Sequence, residues 1–352
     1  MVLRHATFRP SHLNGSPMKR FTCPTCAKEV HFRNQSCVNC GTRLGFDANA
    51  LVMRAIGPDV VLCANAQAAG CNWMAVKSVP GSFCLTCQHN RIVPDARTKG
   101  NLSRWRDVEL AKRQLIYALI RWSLPRPTRA QDPGMGLAFD FLADAEGPNG
   151  VTPVMTGHDS GLITINIAES DDDVRVARRT AMDEPYRTLI GHMRHEIGHY
   201  YWAMLVDGSP QIERYRALFG DERADYSVAL QRHYDNGAPQ NWRQTHISAY
   251  ATAHPWEDFA ETWAHWMHIA DGVETATSYA LSLDGCQVRL DGYKARDIAP
   301  VIEAWVPVTV ALNNMNRAMG QPDLYPFVLN KSVMAKLQFI NDLIHAATSP
   351  NK

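Results

Sequence analysis

Residues 191–202 read GHMRHEIGHYYW, and this stretch contains the pattern His195-Glu196-x-x-His199. Residues four apart on an α-helix lie on one face, because each residue turns the helix by about 100°. Two imidazoles in that arrangement can bind one metal ion, with the carboxylate of Glu196 beside it. Zinc accepts neutral imidazole nitrogen and lowers the pKa of a bound water from about 15.7 to about 7, so a neighbouring glutamate can remove its proton. The pattern therefore predicts metal-assisted hydrolysis of an amide bond.

The five-residue pattern is not specific by itself, since two surface histidines and a glutamate on an exposed helix would also produce it. Its surroundings favour a buried helix, because apolar residues recur at helical spacing: Leu189, Ile190, Met193, Ile197, Tyr200, Tyr201 and Met204. Asp183 or Glu184 precedes Pro185, and proline is favoured at the first helical position. We therefore expect a helix that begins near Pro185 and packs against a core.

A second, acidic helix is predicted downstream, with Pro255 near its start. Glu257 and Glu261 are four apart and so share one face of this helix. One carboxylate can complete a zinc site while the other accepts a hydrogen bond from a ligand histidine, which fixes the tautomer of that histidine. Glu257 is the preferred ligand and Glu261 the alternative. Three histidines of the segment are rival ligands, although ordinary hydrogen-bonded side chains are the simpler interpretation: His254, His265 and His268.

The order HEIGH followed by Y-x6-E-x3-E resembles the gluzincin metallopeptidases. The resemblance implies that His195, His199 and Glu257 hold a catalytic zinc ion. It also implies that Glu261 supports a ligand histidine and that Tyr250 donates to the developing oxyanion, a role for which a phenol is chemically suited. The interval from His199 to Glu257 is long, so an insertion is expected between the two helices.

Matching segments in the same order extend over nearly the whole chain. They are a CxxC ribbon, CNW, FCxxC, AKRQL, TGHDSGLITINIAE, EPYRTLIGHMRHEIGHYYW, FGDERADY and ISAYATAHPWEDFAETWAHW. By these segments the chain is similar to a bacterial family described as zinc-binding metallopeptidases with an N-terminal zinc ribbon. We therefore expect an α+β fold, with a zincin-like catalytic domain after a double zinc-ribbon module. The family description rests on the same motif, so it does not establish the activity.

Eight of the nine cysteines lie between Cys23 and Cys87. Two CxxC pairs at close separation are a strong signal of structural zinc, and they form the first quartet: Cys23, Cys26, Cys37 and Cys40. A less regular second quartet has the right number of ligands for another zinc ion: Cys63, Cys71, Cys84 and Cys87. Disulfides and a rubredoxin-like iron site are the alternatives. The first twenty residues do not resemble a secretory signal, so we expect a reducing compartment, which argues against disulfides.

The 352 residues are enough for one large domain and a small module. We expect a flexible tail in residues 1–20, the zinc-ribbon module in 21–95 and the catalytic domain in 96–352. Met18 is an alternative start of the natural chain. Strands are predicted at 137–142 and 161–167, and the second could form the edge of a cleft that binds an extended peptide. Together these sites predict one catalytic and two structural zinc ions.

The composition limits the classes of partner. A net charge of +1 gives no general attraction to nucleic acids or anionic membranes. Basic and aromatic residues near the first ribbon are too few for an expected nucleic-acid site, although a ribbon could dock a protein. No apolar run reaches about 18 residues, so no membrane span is predicted and a cytoplasmic location is expected. The predicted substrate is a peptide or protein. A non-peptidase hydrolase, or a zinc-binding regulatory protein with little turnover, remains the alternative.

Overall fold

The computed structural model describes residues 20–147, 150–152, 154–171, 174, 188–283 and 285–348. Nearly all of the expected tail, residues 1–19, therefore lies outside the described residues. The described residues combine helices with short strands, as the predicted α+β class requires. Among the described helices, none is both long and apolar enough to cross a membrane.

The cysteine-rich N-terminal region contains two antiparallel hairpins. Strands β1 (Phe21–Thr22) and β2 (Glu29–Val30) form the first, and β3 (Leu44–Asp47) and β4 (Val52–Ala55) form the second. Aromatic rings fill the space between them, with Phe32 only 4.9 Å from Phe46 between ring centroids. These rings pack against each other and form a small aromatic core for the two hairpins.

A four-stranded sheet follows. Its order is β5-β6-β10-β9, with β5, β6 and β10 parallel and β9 antiparallel at one edge. The strands after the ribbon region are β5 (Asn90–Ile92), β6 (Ala138–Leu142), β7 (Ala145–Gly147), β8 (Gly150–Thr152), β9 (Gly157–Asp159) and β10 (Leu162–Asn166). Strands β6 and β10 match the two predicted strands. Strand β5 precedes residue 95 yet pairs with β6, so the cysteine-rich region contributes directly to the larger sheet.

Long helices form most of the remaining structure. They are α1 (Asn101–Arg121), α2 (Leu189–Leu205), α3 (Ile212–Phe219), α4 (Tyr226–Asn236), α5 (Pro255–Ser278), α6 (Ala299–Ala318) and α7 (Lys331–Thr348). A small hairpin, β11 (Ser282–Leu283) and β12 (Cys286–Gln287), follows α5. Helices α3 and α4 occupy the interval between α2 and α5, where an insertion was expected.

Helices α2 and α5 pack closely at Gly198. A Cβ atom at this position would lie 2.9 Å from the Cα of Ala260 and 3.1 Å from the Cβ of Trp263. Any larger residue would therefore push the two helices apart. Since α2 carries the HExxH pattern and α5 carries the two glutamates, the absence of a side chain at Gly198 brings the two halves of the predicted site together.

The start of α2 differs from the prediction. The helix begins at Leu189 and not near Pro185, which lies outside the described residues together with Asp183 and Glu184. Thr188 has an extended backbone, and its side chain accepts a hydrogen bond from the Gly191 amide at 3.0 Å. Thr188 therefore caps the helix, because its side chain satisfies an otherwise unpaired amide of the first turn. In contrast, α5 begins at Pro255 as predicted.

The cysteine-rich region is joined to α1 by buried polar groups. Lys112 and Glu109 are fully buried and form an ion pair at 3.0 Å. The side-chain amide of Asn90 donates a hydrogen bond to Glu109 Oε1 at 2.6 Å, and its carbonyl oxygen accepts one from Lys112. Cys87 of the second quartet lies 3.9 Å from Glu109 Oε2. A buried charge pair at this junction ties the second cysteine quartet to the sheet and to α1.

Candidate metal centre

Helices α2 and α5 bring His195, His199 and Glu257 together in one cluster. Their nearest ligand atoms all lie within 4.8 Å of one another. His195 Nε2 is 3.1 Å from His199 Nε2 and 3.0 Å from Glu257 Oε2, and His199 Nε2 is 3.6 Å from Glu257 Oε1. With zinc–ligand bonds of about 2.0–2.1 Å, tetrahedral ligands are separated by about 3.3 Å. The three separations fall around this value, so the donor set fits a zinc ion.

The carboxylate of Glu257 is held by a residue from a third helix. The Tyr226 hydroxyl, at the first position of α4, donates to Glu257 Oε1 at 2.9 Å. Glu257 Oε2 is buried and has no hydrogen-bond partner among the described residues, although it faces His195 Nε2. A buried carboxylate oxygen without a hydrogen bond is costly unless a cation satisfies it. This arrangement also fits a metal ligand.

Glu261 lies on the opposite side of the His195 ring. Its Oε1 is 2.7 Å from His195 Nδ1, the nitrogen that faces away from the cluster, and its Oε2 accepts from the Ser248 hydroxyl at 2.7 Å. A carboxylate in this position selects the tautomer that leaves Nε2 free to bind a metal. The geometry therefore gives Glu257 and Glu261 different surroundings, although they share a helix face.

The carboxylates of this region remain ionised. Burial raises the pKa of Glu257, but the charges of His199 and His195 outweigh it and hold the pKa well below its usual value. Burial likewise opposes ionisation of Glu261, but its hydrogen bond to His195 lowers the pKa to about 2. The ionised carboxylate of Glu257 is the form that binds a metal ion, and that of Glu261 is the form that accepts a hydrogen bond from His195.

Glu196 lines the same cavity as the cluster. Burial raises the pKa of its carboxyl, yet His192, His195 and His199 together lower it below the ordinary value. His192 is the direct partner, with Nε2 at 3.1 Å from Glu196 Oε1. An ionised carboxylate at this position can accept a proton.

Tyr250 and the other predicted histidines have different positions. Tyr250 begins a short 3₁₀ helix (Tyr250–Thr252), and its ring centroid is 5.9 Å from that of His195. The rival ligands are engaged elsewhere: His254 with the Ala224 carbonyl at 3.1 Å, His265 with the Tyr325 hydroxyl at 2.9 Å and His268 with Arg194 at 2.6 Å. They are not members of the cluster, as their simpler interpretation predicted.

The cluster opens into a cavity of about 950 Å³. Aromatic side chains form much of its wall, including Trp202, Trp242, Tyr250 and Phe327. His158 also lines it, from the edge strand β9. A volume of this size accommodates several residues of an extended chain or one sizeable ligand.

The two cysteine quartets also have the geometry of metal sites. In the first, the Sγ atoms of Cys23 and Cys40 are 3.7 Å apart and those of Cys26 and Cys37 are 3.6 Å apart. In the second, Cys71 and Cys84 are 3.6 Å apart. A disulfide requires about 2.05 Å, whereas four thiolates around zinc are separated by about 3.8 Å for bonds of about 2.3 Å. The ninth cysteine, Cys286, is exposed and outside both quartets.

Sequence reasoning missed several groups that complete the centre. Tyr226, Ser248 and His192 contact predicted residues, and Glu169 contacts His192, but none of the four has a local pattern that marks it. All four do lie within segments shared with the resembling family: FGDERADY, ISAYATAHPWEDFAETWAHW, EPYRTLIGHMRHEIGHYYW and TGHDSGLITINIAE. Their presence in those segments was the available signal.

Family models match both parts of the chain. Residues 101–343 match the family described as "Putative zinc-binding metallo-peptidase", and residues 20–98 match a zinc-ribbon domain. The chain belongs to this metallo-peptidase family. The first match contains the whole histidine–glutamate cluster, and the second contains both cysteine quartets. The family therefore assigns zinc to this protein, as its donor sets do.

Three mycobacterial proteins are similar to nearly the whole chain. Mb2598c of Mycobacterium bovis, and MT2644 and Rv2568c of Mycobacterium tuberculosis, are each 42% identical to it over 330 residues. The similarity covers 93% of this chain and 95% of each relative, and each is described as an uncharacterized protein. No solved structure matches the chain. The similarity therefore extends over both the cysteine-rich region and the helices of the cluster, and it adds no activity.

Proposed function

We propose that this protein is a zinc-dependent peptidase whose catalytic metal is held by His195, His199 and Glu257. The observation that supports this most directly is the zinc-like spacing of three ligand residues, two of them buried, in the lining of a large cavity. Zinc bound there would supply Lewis-acid chemistry and make a nearby water acidic enough to lose a proton near neutral pH.

Glu196 is the proposed general base. Its ionised carboxylate lines the cavity beside the ligand histidines. It would take the proton of the attacking water and later return that proton to the leaving amine. The lowered pKa of the carboxyl keeps it ionised, and the direct contact with His192 holds it in place.

Tyr250 and Glu261 have supporting roles in this proposal. Tyr250 lies beside His195 and lines the cavity, so its hydroxyl could donate to the oxyanion that forms from the scissile carbonyl. Glu261 would orient His195 through Nδ1 and keep its Nε2 directed at the metal. Both roles are what the gluzincin resemblance implies.

We further propose that residues 96–352 form a zincin-like catalytic domain and that residues 21–95 form a module with two structural zinc ions. The spacing of the sulfur atoms supports two four-cysteine sites. Strand β5 extends from this module into the sheet of the larger domain, so the two units would be joined by a shared sheet. Peptides or proteins are the proposed substrates.

The proposal is tested by incubating the zinc-loaded protein with a peptide mixture and identifying new termini by mass spectrometry. The wild type should create new termini, and Glu196→Gln should create none while retaining its zinc. Glu213→Gln is the matched control, since Glu213 is an exposed residue of α3 outside the site. Hydrolysis of esters without peptide cleavage would indicate a different hydrolase. A fully zinc-loaded protein with no hydrolysis at all would indicate a binding or regulatory protein.

A further inference from the structure

Glu196 is connected to the edge of the sheet by a chain of three polar side chains. His192 Nε2 lies 3.1 Å from Glu196 Oε1, and its Nδ1 lies 2.5 Å from Glu169 Oε2. Glu169 Oε1 in turn accepts from the Thr156 hydroxyl at 2.7 Å. Both nitrogens of one imidazole thus contact carboxylates on opposite sides.

The distal end of this chain is fixed by the backbone. Glu169 lies in the 3₁₀ helix Ile167–Ser170, directly after β10, and is only 2% exposed. The Thr156 hydroxyl accepts from the Asn166 amide at 3.0 Å while it donates to Glu169. The backbone amide of Asn166, the last residue of β10, therefore positions the Thr156 hydroxyl. That hydroxyl positions the carboxylate of Glu169, and Glu169 positions the ring of His192.

Two partners of His192 are a carboxylate anchored beside the sheet, Glu169, and the carboxylate that faces the cavity, Glu196. An imidazole can donate to two acceptors at once only when both nitrogens carry a proton, so the cationic form of His192 would join the two carboxylates. Engaging Glu196 Oε1 fixes the carboxylate plane and leaves its second oxygen to meet the substrate water.

We propose that His192 is a positioning residue for the general base, held in place by Glu169 and Thr156. This inference rests on the proposed peptidase function, because it assigns His192 a role in the reaction through Glu196. Its effect is on the orientation of the base and not on metal binding, since His192 is not a member of the ligand cluster.

Kinetics provide the first test. His192→Phe keeps a planar ring but removes both donors, and we expect kcat to fall by about 10–100-fold, the usual range for outer partners of a metal site. KM and the zinc content should stay within about twofold of the wild type, because neither substrate contacts nor ligands change. His192→Gln, which can still donate to Glu196, should recover part of kcat. An unchanged kcat in His192→Phe, or an equal loss of zinc, would overturn the proposal.

The distal anchor has its own matched pair. Thr156→Val removes the hydroxyl at constant shape and should lower kcat by less than His192→Phe does. Thr156→Ser keeps the hydroxyl and should restore kcat to near the wild-type value. Wild-type kcat in both variants would remove Thr156 from the chain of contacts, and an equal loss of kcat in both would show that packing, not the hydroxyl, matters, which would also overturn its role as an anchor.

NMR of ¹⁵N-labelled histidine tests the contacts without requiring turnover. The His192 signals are identified by their absence in His192→Phe. Glu169→Gln should shift the Nδ1 signal, and Glu196→Gln should shift the Nε2 signal. Failure of either shift would contradict the bridge. Absence of hydrolysis by the wild type, with both NMR shifts present, would refute the peptidase function while leaving the bridge in place, so the two failures are distinguishable.

Discussion

The first cysteine quartet and the histidine–glutamate cluster hold their ligand atoms at spacings suited to zinc, but the chain builds them in different ways. The quartet lies within residues 23–40, on turns between short strands. The cluster joins two long helices that are already packed together at Gly198. A site made of turns has little other stabilisation, whereas a site between packed helices rests on a large apolar core. We therefore expect the first quartet to need its metal in order to fold. The histidine–glutamate cluster should need its metal only for activity.

The second cysteine quartet resembles the first quartet in its ligands and the histidine–glutamate cluster in its burial. Its four cysteines are all buried, whereas Cys40 of the first quartet is exposed. Its member Cys87 lies beside Glu109 of α1, in the buried junction with the larger domain. This quartet should therefore hold its metal more firmly against chelators than the first one does.

The largest expected effect follows removal of metal from the cysteine quartets. Structural zinc contributes about 10–16 kcal/mol to the folding of zinc-finger peptides, so chelation should unfold β1 to β4. Hydrogen exchange should then show loss of amide protection in these strands, with α2 and α5 still protected. Cys286→Ser is the control and should retain all cysteine-bound zinc. Persistent protection of β1 to β4 in the metal-free protein would show that the cysteine-rich region does not need metal to fold.

Replacement of His195 by alanine should abolish activity without unfolding the protein. The variant should lose one of the three expected zinc ions and its hydrolysis, because a ligand is missing. Helices α2 and α5 should stay protected from hydrogen exchange, since their packing does not depend on the metal. Elemental analysis gives the zinc content, with His31→Ala as the control at an exposed histidine. Unfolding of α2 in His195→Ala would show that this site, too, is needed for folding.

Tyr250→Phe should affect the reaction alone. Loss of one donor to an oxyanion typically costs about 10²–10³ in turnover. We expect such a fall in kcat, with KM and zinc content close to those of the wild type, because the contact forms mainly in the transition state. Steady-state kinetics on a mapped substrate would measure it. Near-wild-type kcat would assign the hydroxyl a structural role.

The smallest effect is expected from the carboxylate behind His195. Glu261→Ala should weaken zinc binding at this site by about 10–100-fold, whereas Glu257→Ala should abolish it. Competition with a chromophoric chelator would measure both affinities. If Glu261→Ala abolished binding and Glu257→Ala did not, the two carboxylates would have been assigned in the wrong order.

Patterns within a single element were predictable from the sequence. The CxxC pairs, the histidines four apart and the glutamates four apart each follow from short-range geometry, because a turn or a helix fixes the relative positions of nearby residues. Pro255 predicted the start of α5 for the same reason. The start of α2 was misplaced, because the Thr188 hydroxyl accepts from the Gly191 amide and caps a helix that begins at Leu189.

Contacts between distant segments were decided only by the tertiary structure. Tyr226 reaches Glu257 because α4 packs beside α5, and Glu169 reaches His192 because β10 ends beside α2. Neither approach follows from spacing along the chain, since the packing of whole elements determines which side chains meet. The sequence by itself determined which residues could bind metal, and the packing of α2 against α5 decided which carboxylate faces the histidines and which one supports them.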